Sequence, residues 1–502
     1  MTSPVLVAGA GPVGLTMAMA LKRRGVDVRV VDRAAARTDK SKALVIWPRT
    51  LELLDIQGCS RPFIDAGLQA HGARILADDG TDLLMHVRFD TARSQYRFAL
   101  MIPQSETERL LEEQLAKLGV TVERRVELIS FTEEADGVSA LLRHPDGRDE
   151  TLQASWLAAC DGAHSTVRHA LALPFTGDTM PSDWVLADLQ IDGELPRDEI
   201  TICWTPDGVM VFFPIDATRL RVIADVGLAA ADEAPAPTLR EIQALIDHRG
   251  PKGLHAHDPF WISRFRINER KVKDYRHGRV FLCGDAAHVH SPAGGQGMNT
   301  GMQDAFNLAW KLAMVWHGAA GEALLESYSP ERSAIGDQVL RAAGNMTKVA
   351  LMRNPVLTEL RSLAVGALGH LPALRQRFVD QLAEVDLHYH DSPLTESPRG
   401  AARHPAGGER APDLLLSPAP TETPRLYDVL ATGRFAVLSV SAPLMDLPQA
   451  LRPIAAAVAT EASAEYVGGH VYLVRPDGYV ALSTGAADTG PILATLERIA
   501  QG

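Results

Sequence analysis

Three carboxylates, each placed where a strand-like run ends, are the residues of this sequence best placed to do chemistry. Asp32 closes the run Val26 to Val31, Asp161 follows Trp156 to Cys160, and Asp285 follows Val280 to Gly284. Near the first lies Gly9-Ala10-Gly11-Pro12-Val13-Gly14, a G-x-G-x-x-G. It follows a short strand, Val5 to Ala8, and opens a helix over Leu15 to Arg24. In that setting the glycines serve a tight turn, backbone access to a pyrophosphate and close helix–strand packing. Asp32 stands 18 residues after Gly14, the offset of a carboxylate that holds a ribose. The chemistry is dinucleotide binding. After Asp285 the chain runs through Ser291-Pro292-Ala293-Gly294-Gly295-Gln296-Gly297, a loop too poor in side chains to fill space, and into a helix expected over Met298 to Leu312. A strand-end carboxylate can hold a sugar-type hydroxyl. Bare backbone can approach a flat ring, and the free N–H groups of a helix start favour negative charge developing there. Around Asp161, the stretch Asp161 to Arg168 reads as a turn and a helix capped by Ser165, with Arg168 one turn in.

The elements that must position these residues follow from periodicity. Helices are expected over Thr50 to Gly58 and Gln104 to Leu118, and a meander over Val120 to Arg124, Leu128 to Thr132 and Val138 to Arg143. Lys42 supplies a cation that could meet a pyrophosphate. Between Asp183 and Asp225 the pattern turns to aromatic-rich antiparallel strands, such as Ile200 to Trp204 and Val209 to Phe213. Trp47, Trp204, Met210, Phe212 and Phe213 are candidates for an aromatic pocket, with core packing the alternative for any one of them. Tyr328 to Leu382 is mostly helical, and seven prolines from Pro393 to Pro424 mark a linker or crossover. The tail from Tyr427 alternates strand-like and helical runs, as a small α/β domain would.

Composition narrows the function. The 502 residues allow several domains, and 46% hydrophobic with 22% charged residues is ordinary for a globular protein. A net charge of −12 argues against nucleic acid or an anionic membrane as partner. Cys59, Cys160, Cys203 and Cys283 form no C-x-x-C pair and read as buried reduced thiols. Pro4 to Leu21 lacks charge, but four glycine and proline breaks and the want of a basic lead-in argue against a signal or span, so a cytoplasmic protein is expected. His388-Tyr389-His390-Asp391, an H-x-H in an extended segment with one acid, could form a metal site, but this is the minor reading and no metal is expected.

The three motifs in order, GAGPVG, DGAHSTVR and GRVFLCGDAAH with GGQGMN, resemble the single-component FAD-dependent aromatic hydroxylases of the p-hydroxybenzoate hydroxylase fold, in particular the bacterial polyketide and phenol hydroxylase branch. The resemblance implies a Rossmann-like FAD-binding domain made of 1–75, 100–178 and 271–340, an antiparallel-sheet substrate domain of 76–99 and 179–270, a helical connection over 341–392, and a linker with a thioredoxin-like domain over 393–502. It implies that Gly9, Gly11, Pro12, Val13 and Gly14 cradle the FAD pyrophosphate, with Asp32 and Arg33 at the adenosine ribose and Lys42 in charge contact. Gln104 would meet the flavin side, Asp161 and Arg168 would serve FAD and the reduced nicotinamide nucleotide, and Asp285 would bind the ribitol. Pro292, Gly295, Gly297, Met298 and Asn299 would run beside the isoalloxazine, with Pro292 and Gly295 acting through backbone. The implied activity is hydroxylation of a phenolic or polycyclic, polyketide-like aromatic by O₂ and NADPH or NADH, through a flavin C4a-hydroperoxide, in a monomer or homodimer. Two other readings stay open: Baeyer–Villiger oxygen insertion on the same scaffold, and a non-enzymatic NADP-binding regulator in which Arg33 reads a 2′-phosphate.

Overall fold

Strand Val5–Ala8 is apolar and buried throughout, because it lies inside a parallel sheet covered on both faces. In the computed structural model, which describes residues 3–40, 43–77, 82–228, 235–352, 365, 371–396, 405–418, 424–461 and 463–501, that sheet has six strands. Their order is Arg276–His277, Val280–Leu282, Trp156–Ala159, Val5–Ala8, Val28–Asp32 and Glu123–Arg124, parallel except for the first. All three motif carboxylates therefore leave the same end of one sheet, where open α/β sheets bind ligands. Helix Pro12–Arg23 begins two residues inside the glycine motif, with proline at its start, and packs against helix Gly297–Trp316. The latter begins at Gly297 and runs four residues past Leu312, the end expected from periodicity.

A second, eight-stranded sheet runs His288–Val289, His255–Lys271, Thr176–Asp192, Arg219–Leu228, Gly208–Pro214, Glu199–Thr205, Gly72–Ala77 and Asp82–Arg88. It is antiparallel except where Glu199–Thr205 meets Gly72–Ala77. Helix Leu239–Arg249, started by a capping box of Thr238 and Glu241, buries Ile242 and Ile246 against one face. The other face is turned toward the cofactor side of the molecule and walls a cavity.

The tail forms a four-stranded sheet, in order Ala455–Thr460, Phe435–Val440, His470–Val474 and Val480–Gly485, with helix Gly490–Gln501 packed against it. The proline-rich stretch before it is laid along that sheet where it is described. Gly408 N–H donates to the Val480 carbonyl at 2.7 Å, Ala411 N–H to Gly478 at 2.9 Å, and Ser417 N–H to Ala459 at 2.8 Å. Among the described residues no helix is long and apolar enough to cross a membrane, and no group of three side chains is arranged to hold a metal. His388 and His390 stack face to face, 3.9 Å between centroids, and do not converge on a point.

Candidate active site

Close approach dictates the glycine motif. A methyl group on Gly9 would lie 2.3 Å from the Cys160 carbonyl oxygen, and one on Gly14 would lie 1.9 Å from the Gly9 oxygen. These two hold the first turn against the middle strand, so Gly14 acts by packing and not by ligand contact. Gly11 differs, because a methyl group there would meet nothing within 4 Å and would point into open cavity. Asp32 accepts the Ala10 N–H and the Ala34 N–H, each at 2.7 Å, with Arg124 at 3.6 Å. It thereby shapes the loop while keeping acceptor capacity on each oxygen. Asp161 takes the Val167 N–H on Oδ2 at 3.2 Å, whereas its buried Oδ1 has no partner. Asp32, Arg33, Gly9, Gly11 and Asp161 line one cavity of about 240 Å³.

That cavity shares Gly11, Cys160 and Gly162 with a second of about 460 Å³, so the two form one trough. The second is lined by Pro12, Val13, Gln104, the exposed Asp285, and the loop residues Pro292, Gly295, Gly297 and Met298. Gln104 is anchored by Nε2 to Glu108 at 2.9 Å, and its N–H donates to the Ala43 carbonyl at 3.0 Å. The helix beginning at Gly297 turns its first-turn N–H groups, which have no carbonyl one turn back, to this end. An orphaned carboxylate oxygen, open space over Gly11 and bare backbone at Gly295 and Gly297 are what a dinucleotide with ribose hydroxyls, pyrophosphate and a flat ring requires. The residues present fit FAD.

Two lining residues carried no sequence signal. His290 places Nδ1 2.9 Å from the Ser291 carbonyl and stacks on His288, 6.1 Å between centroids. Burial and the neighbouring His288 push its pKa down to about 4. The ring is thus neutral, donates from Nδ1, and keeps a buried Nε2 acceptor without a partner. Arg221, buried in the sheet, meets Asp188 through Nε at 2.7 Å and Nη2 at 2.8 Å. Cross-strand register pairs the two residues directly, and a strand alignment could have found them.

The trough in turn shares Val45, Phe213, Ile223, Ser291 and Pro292 with an apolar cavity of about 610 Å³. Trp47, Trp204 and Phe213, three of the five aromatic-pocket candidates, line it. Met210 and Phe212 do not. Successive strand residues face opposite ways, so Val209, Val211 and Phe213 look into the cavity while Met210 and Phe212 are fully buried beneath helix Leu239–Arg249.

Other expected contacts are spent inside the protein. Arg168 is 3% exposed; it donates to the Ala286 carbonyl at 3.0 Å and the Ala163 carbonyl at 2.7 Å, and covers the Phe175 ring at 4.0 Å. It ties the Asp161 turn to the Asp285 turn and offers no surface cation to a nucleotide. The Asn299 side chain is fully buried, accepting the Trp47 N–H at 2.9 Å and donating to the carbonyls of Val45 at 2.9 Å and Gly295 at 3.0 Å. Lys42 lies outside the described residues.

The fold and trough define an FAD-binding protein with an apolar chamber beside the ring site. Comparison with known proteins agrees: residues 2–343 match the family described as FAD binding domain, and residues 404–501 match the aromatic-ring hydroxylase C-terminal family. The 6-methylpretetramide 4-monooxygenase of Streptomyces rimosus is 39% identical over 403 residues, 78% of this chain and 71% of that one. The anhydrotetracycline monooxygenase of the same organism is 34% identical over 500 residues, 97% of this chain and 96% of that one. A solved anhydrotetracycline hydroxylase from Streptomyces rimosus superposes with a TM-score of 0.81 at 31% identity, covering all of both chains. The chain belongs to the FAD-dependent aromatic-ring hydroxylases. It is a flavoprotein monooxygenase with NAD(P)H as co-substrate, and the reading as a non-enzymatic NADP-binding regulator falls.

Proposed function

We propose that the chain hydroxylates a flat, polycyclic phenolic compound of the polyketide type. The observation that carries this is the shared wall: Ser291 and Pro292 line both the cofactor trough and the apolar cavity, so a ring in one lies against a ring in the other. Trp47, Phe89, Trp184, Trp204, Phe213 and Phe378 give the cavity walls suited to an aromatic face. Polar side chains gather at its exposed rim, at Asn345, Arg375 and Arg377, where substituents of a larger ring system would emerge.

FAD, when bound, accepts a hydride from the reduced nicotinamide and activates O₂. The chain's own residues do the rest. Gly9, Gly11 and the start of helix Pro12–Arg23 receive the pyrophosphate, whose charge the free N–H groups favour. Asp32, Asp161 and Asp285 accept hydroxyls of the two sugar-type portions. Backbone at Pro292 to Gly297 and the start of the long helix would hold the ring and favour negative charge on it. The apolar walls exclude water and orient the substrate. No side chain is asked to be a nucleophile, which agrees with a chamber whose lining is almost wholly hydrocarbon.

The test is a panel of hydroxylated anthracene, tetracene and simple phenol compounds scored for stimulated NAD(P)H oxidation and for product mass. Polycyclic phenols are expected to stimulate oxidation and gain one oxygen, with simple phenols weaker. Stimulation by simple phenols alone would overturn the substrate class.

A further inference from the structure

The loop dividing the trough from the apolar cavity is held from the cavity side. Trp47 lines the cavity, and its Nε1–H donates to the Gly294 carbonyl at 2.8 Å. Thr347, on helix Tyr328–Ala350, also lines the cavity and places Oγ1 2.7 Å from Ser291 Oγ. The Gln381 carbonyl, on helix Pro372–Leu382, accepts from Gln296 Nε2 at 3.0 Å. Within the loop, Gly295 N–H donates to the Pro292 carbonyl at 2.9 Å and Ala293 N–H to Ser291 Oγ at 3.2 Å. Gly294 and Gly295 are consecutive, at φ of +83° and +64°, a left-handed path without side chains. Asn299 closes the arrangement by bonding Trp47 backbone at one end and the Gly295 carbonyl at the other.

Of these ties, Trp47 is the one in which a rigid group on the cavity side holds the backbone next to Gly295, which lines the trough. Its ring packs edge-on against Phe89, with centroids 5.6 Å apart, and faces the cavity. The indole N–H is its only donor. A displacement of the ring that broke the bond to Gly294 would strand a part-buried donor and acceptor, so ring and loop are constrained to move together.

We propose that Trp47 is a positioning residue that transmits occupancy of the apolar cavity to the backbone of Pro292 to Gly297, and so to the environment of the flavin ring. This rests on the aromatic-substrate reading above. A ligand that stacks on the indole sets its tilt, the N–H carries the Gly294 carbonyl with it, and the cofactor-facing side of the same loop shifts.

The test compares FAD-loaded wild type with Trp47→Phe, which keeps an aromatic wall and removes the N–H. A hydroxylated anthraquinone is titrated without NAD(P)H, following the flavin absorbance difference spectrum and, separately, anthraquinone affinity by calorimetry. Affinity is expected to change by no more than about threefold, while the difference-spectrum amplitude falls by roughly fivefold, the scale of one neutral hydrogen bond. Phe89→Leu disturbs the ring's packing but spares the N–H, and is expected to weaken affinity while retaining the difference spectrum. A Trp47→Phe spectrum equal to wild type would overturn the proposal. If Trp47→Phe does not retain FAD, amide exchange over Gly294 to Gly297 in the wild type decides. A change of roughly fivefold on adding the anthraquinone supports the coupling, and unchanged exchange overturns it. A ligand that shifts the flavin spectrum through Trp47 but is never hydroxylated would sink the functional reading alone. A hydroxylated ligand with identical spectra in both proteins would sink the Trp47 assignment alone.

Discussion

The two ends of helix Gly297–Trp316 treat polar groups in opposite ways. At its C-terminal half, where the tail domain docks, every carboxylate is spoken for. Glu331 receives Lys311 at 2.7 Å, Asn307 at 2.7 Å and Arg475 at 2.7 and 2.9 Å, and bonds Ser392 as well. Asp477 receives Trp310 at 3.0 Å and Arg475 at 2.6 Å, and its carbonyl takes Arg49 at 2.6 Å. Lys311, Glu331 and Arg475 are without exposure. At the N-terminal end, the trough holds Asp161 Oδ1 and His290 Nε2, both buried and without a partner, and the exposed Asp285. Desolvation is costly in both places. The junction answers that cost within the protein, so its charges fix how the tail sits. The trough leaves it unanswered at Asp161 Oδ1 and His290 Nε2, and these two unpartnered acceptors mark where a ligand completes the structure.

The contrast is broken most directly at Glu331. Glu331→Gln leaves Lys311 buried without its carboxylate and Arg475 with Asp477 alone, and removing one member of a buried pair costs about 3–5 kcal/mol. Denaturant unfolding of apoprotein and FAD-loaded protein should show that loss in both. A loss below about 1 kcal/mol would place the junction with ordinary surface pairs.

At the trough the order should reverse. Asp285→Ala is expected to lower FAD affinity by roughly ten- to a hundredfold, the worth of a charge-assisted hydrogen bond. Gly11→Ala and Gly14→Ala sharpen the point. Gly14→Ala must displace backbone and should destabilise the apoprotein itself. Gly11→Ala meets only open space, so apoprotein stability should hold within about 0.5 kcal/mol while FAD binding weakens. Equal effects of the two on apoprotein stability would contradict the assignment of Gly11 to the ligand.

Glu384, which accepts from Gln303 of helix Gly297–Trp316 at 2.5 Å, gives an effect that depends on pH. Burial pushes its carboxyl from an ordinary 4.5 up to about 8. Between those values the folded state holds a proton that the unfolded state has lost. Stability contributed by the neutral acid is therefore complete below 4.5 and lost as pH rises toward 8, with a slope of about 1.4 kcal/mol per pH unit. Glu384→Gln should remove this slope, so the variant gains on wild type as pH rises across the interval. Parallel melting curves would show that Glu384 is already ionised.

The trough was legible in the sequence because its demands are local. Gly14 answers a contact with Gly9 inside one strand–turn–helix, the spacing of the glycine motif is itself local, and Asp285 is read from the strand that carries it. The aromatic pocket was half legible: Val209 to Phe213 is apolar at every position, so composition could not say which alternate residues face the cavity. The interior partners of the Arg168 and Asn299 side chains were not legible because they lie 118 and 252 residues away. The junction was silent for the same reason, Arg475 finding Glu331 across 144 residues. Charges in a sequence do not announce whether a distant segment will cancel them.

The central claim is that the apolar cavity presents an aromatic ring to a flavin-bound oxidant held in the adjoining trough. The most direct measurement is turnover of a polycyclic phenol with NAD(P)H under isotopically labelled O₂, with mass spectrometry of the product. One labelled oxygen atom on the ring system, and none in the absence of NAD(P)H, is the predicted result. Label entering from water instead, or NAD(P)H consumed with only H₂O₂ formed across the whole panel, would contradict it.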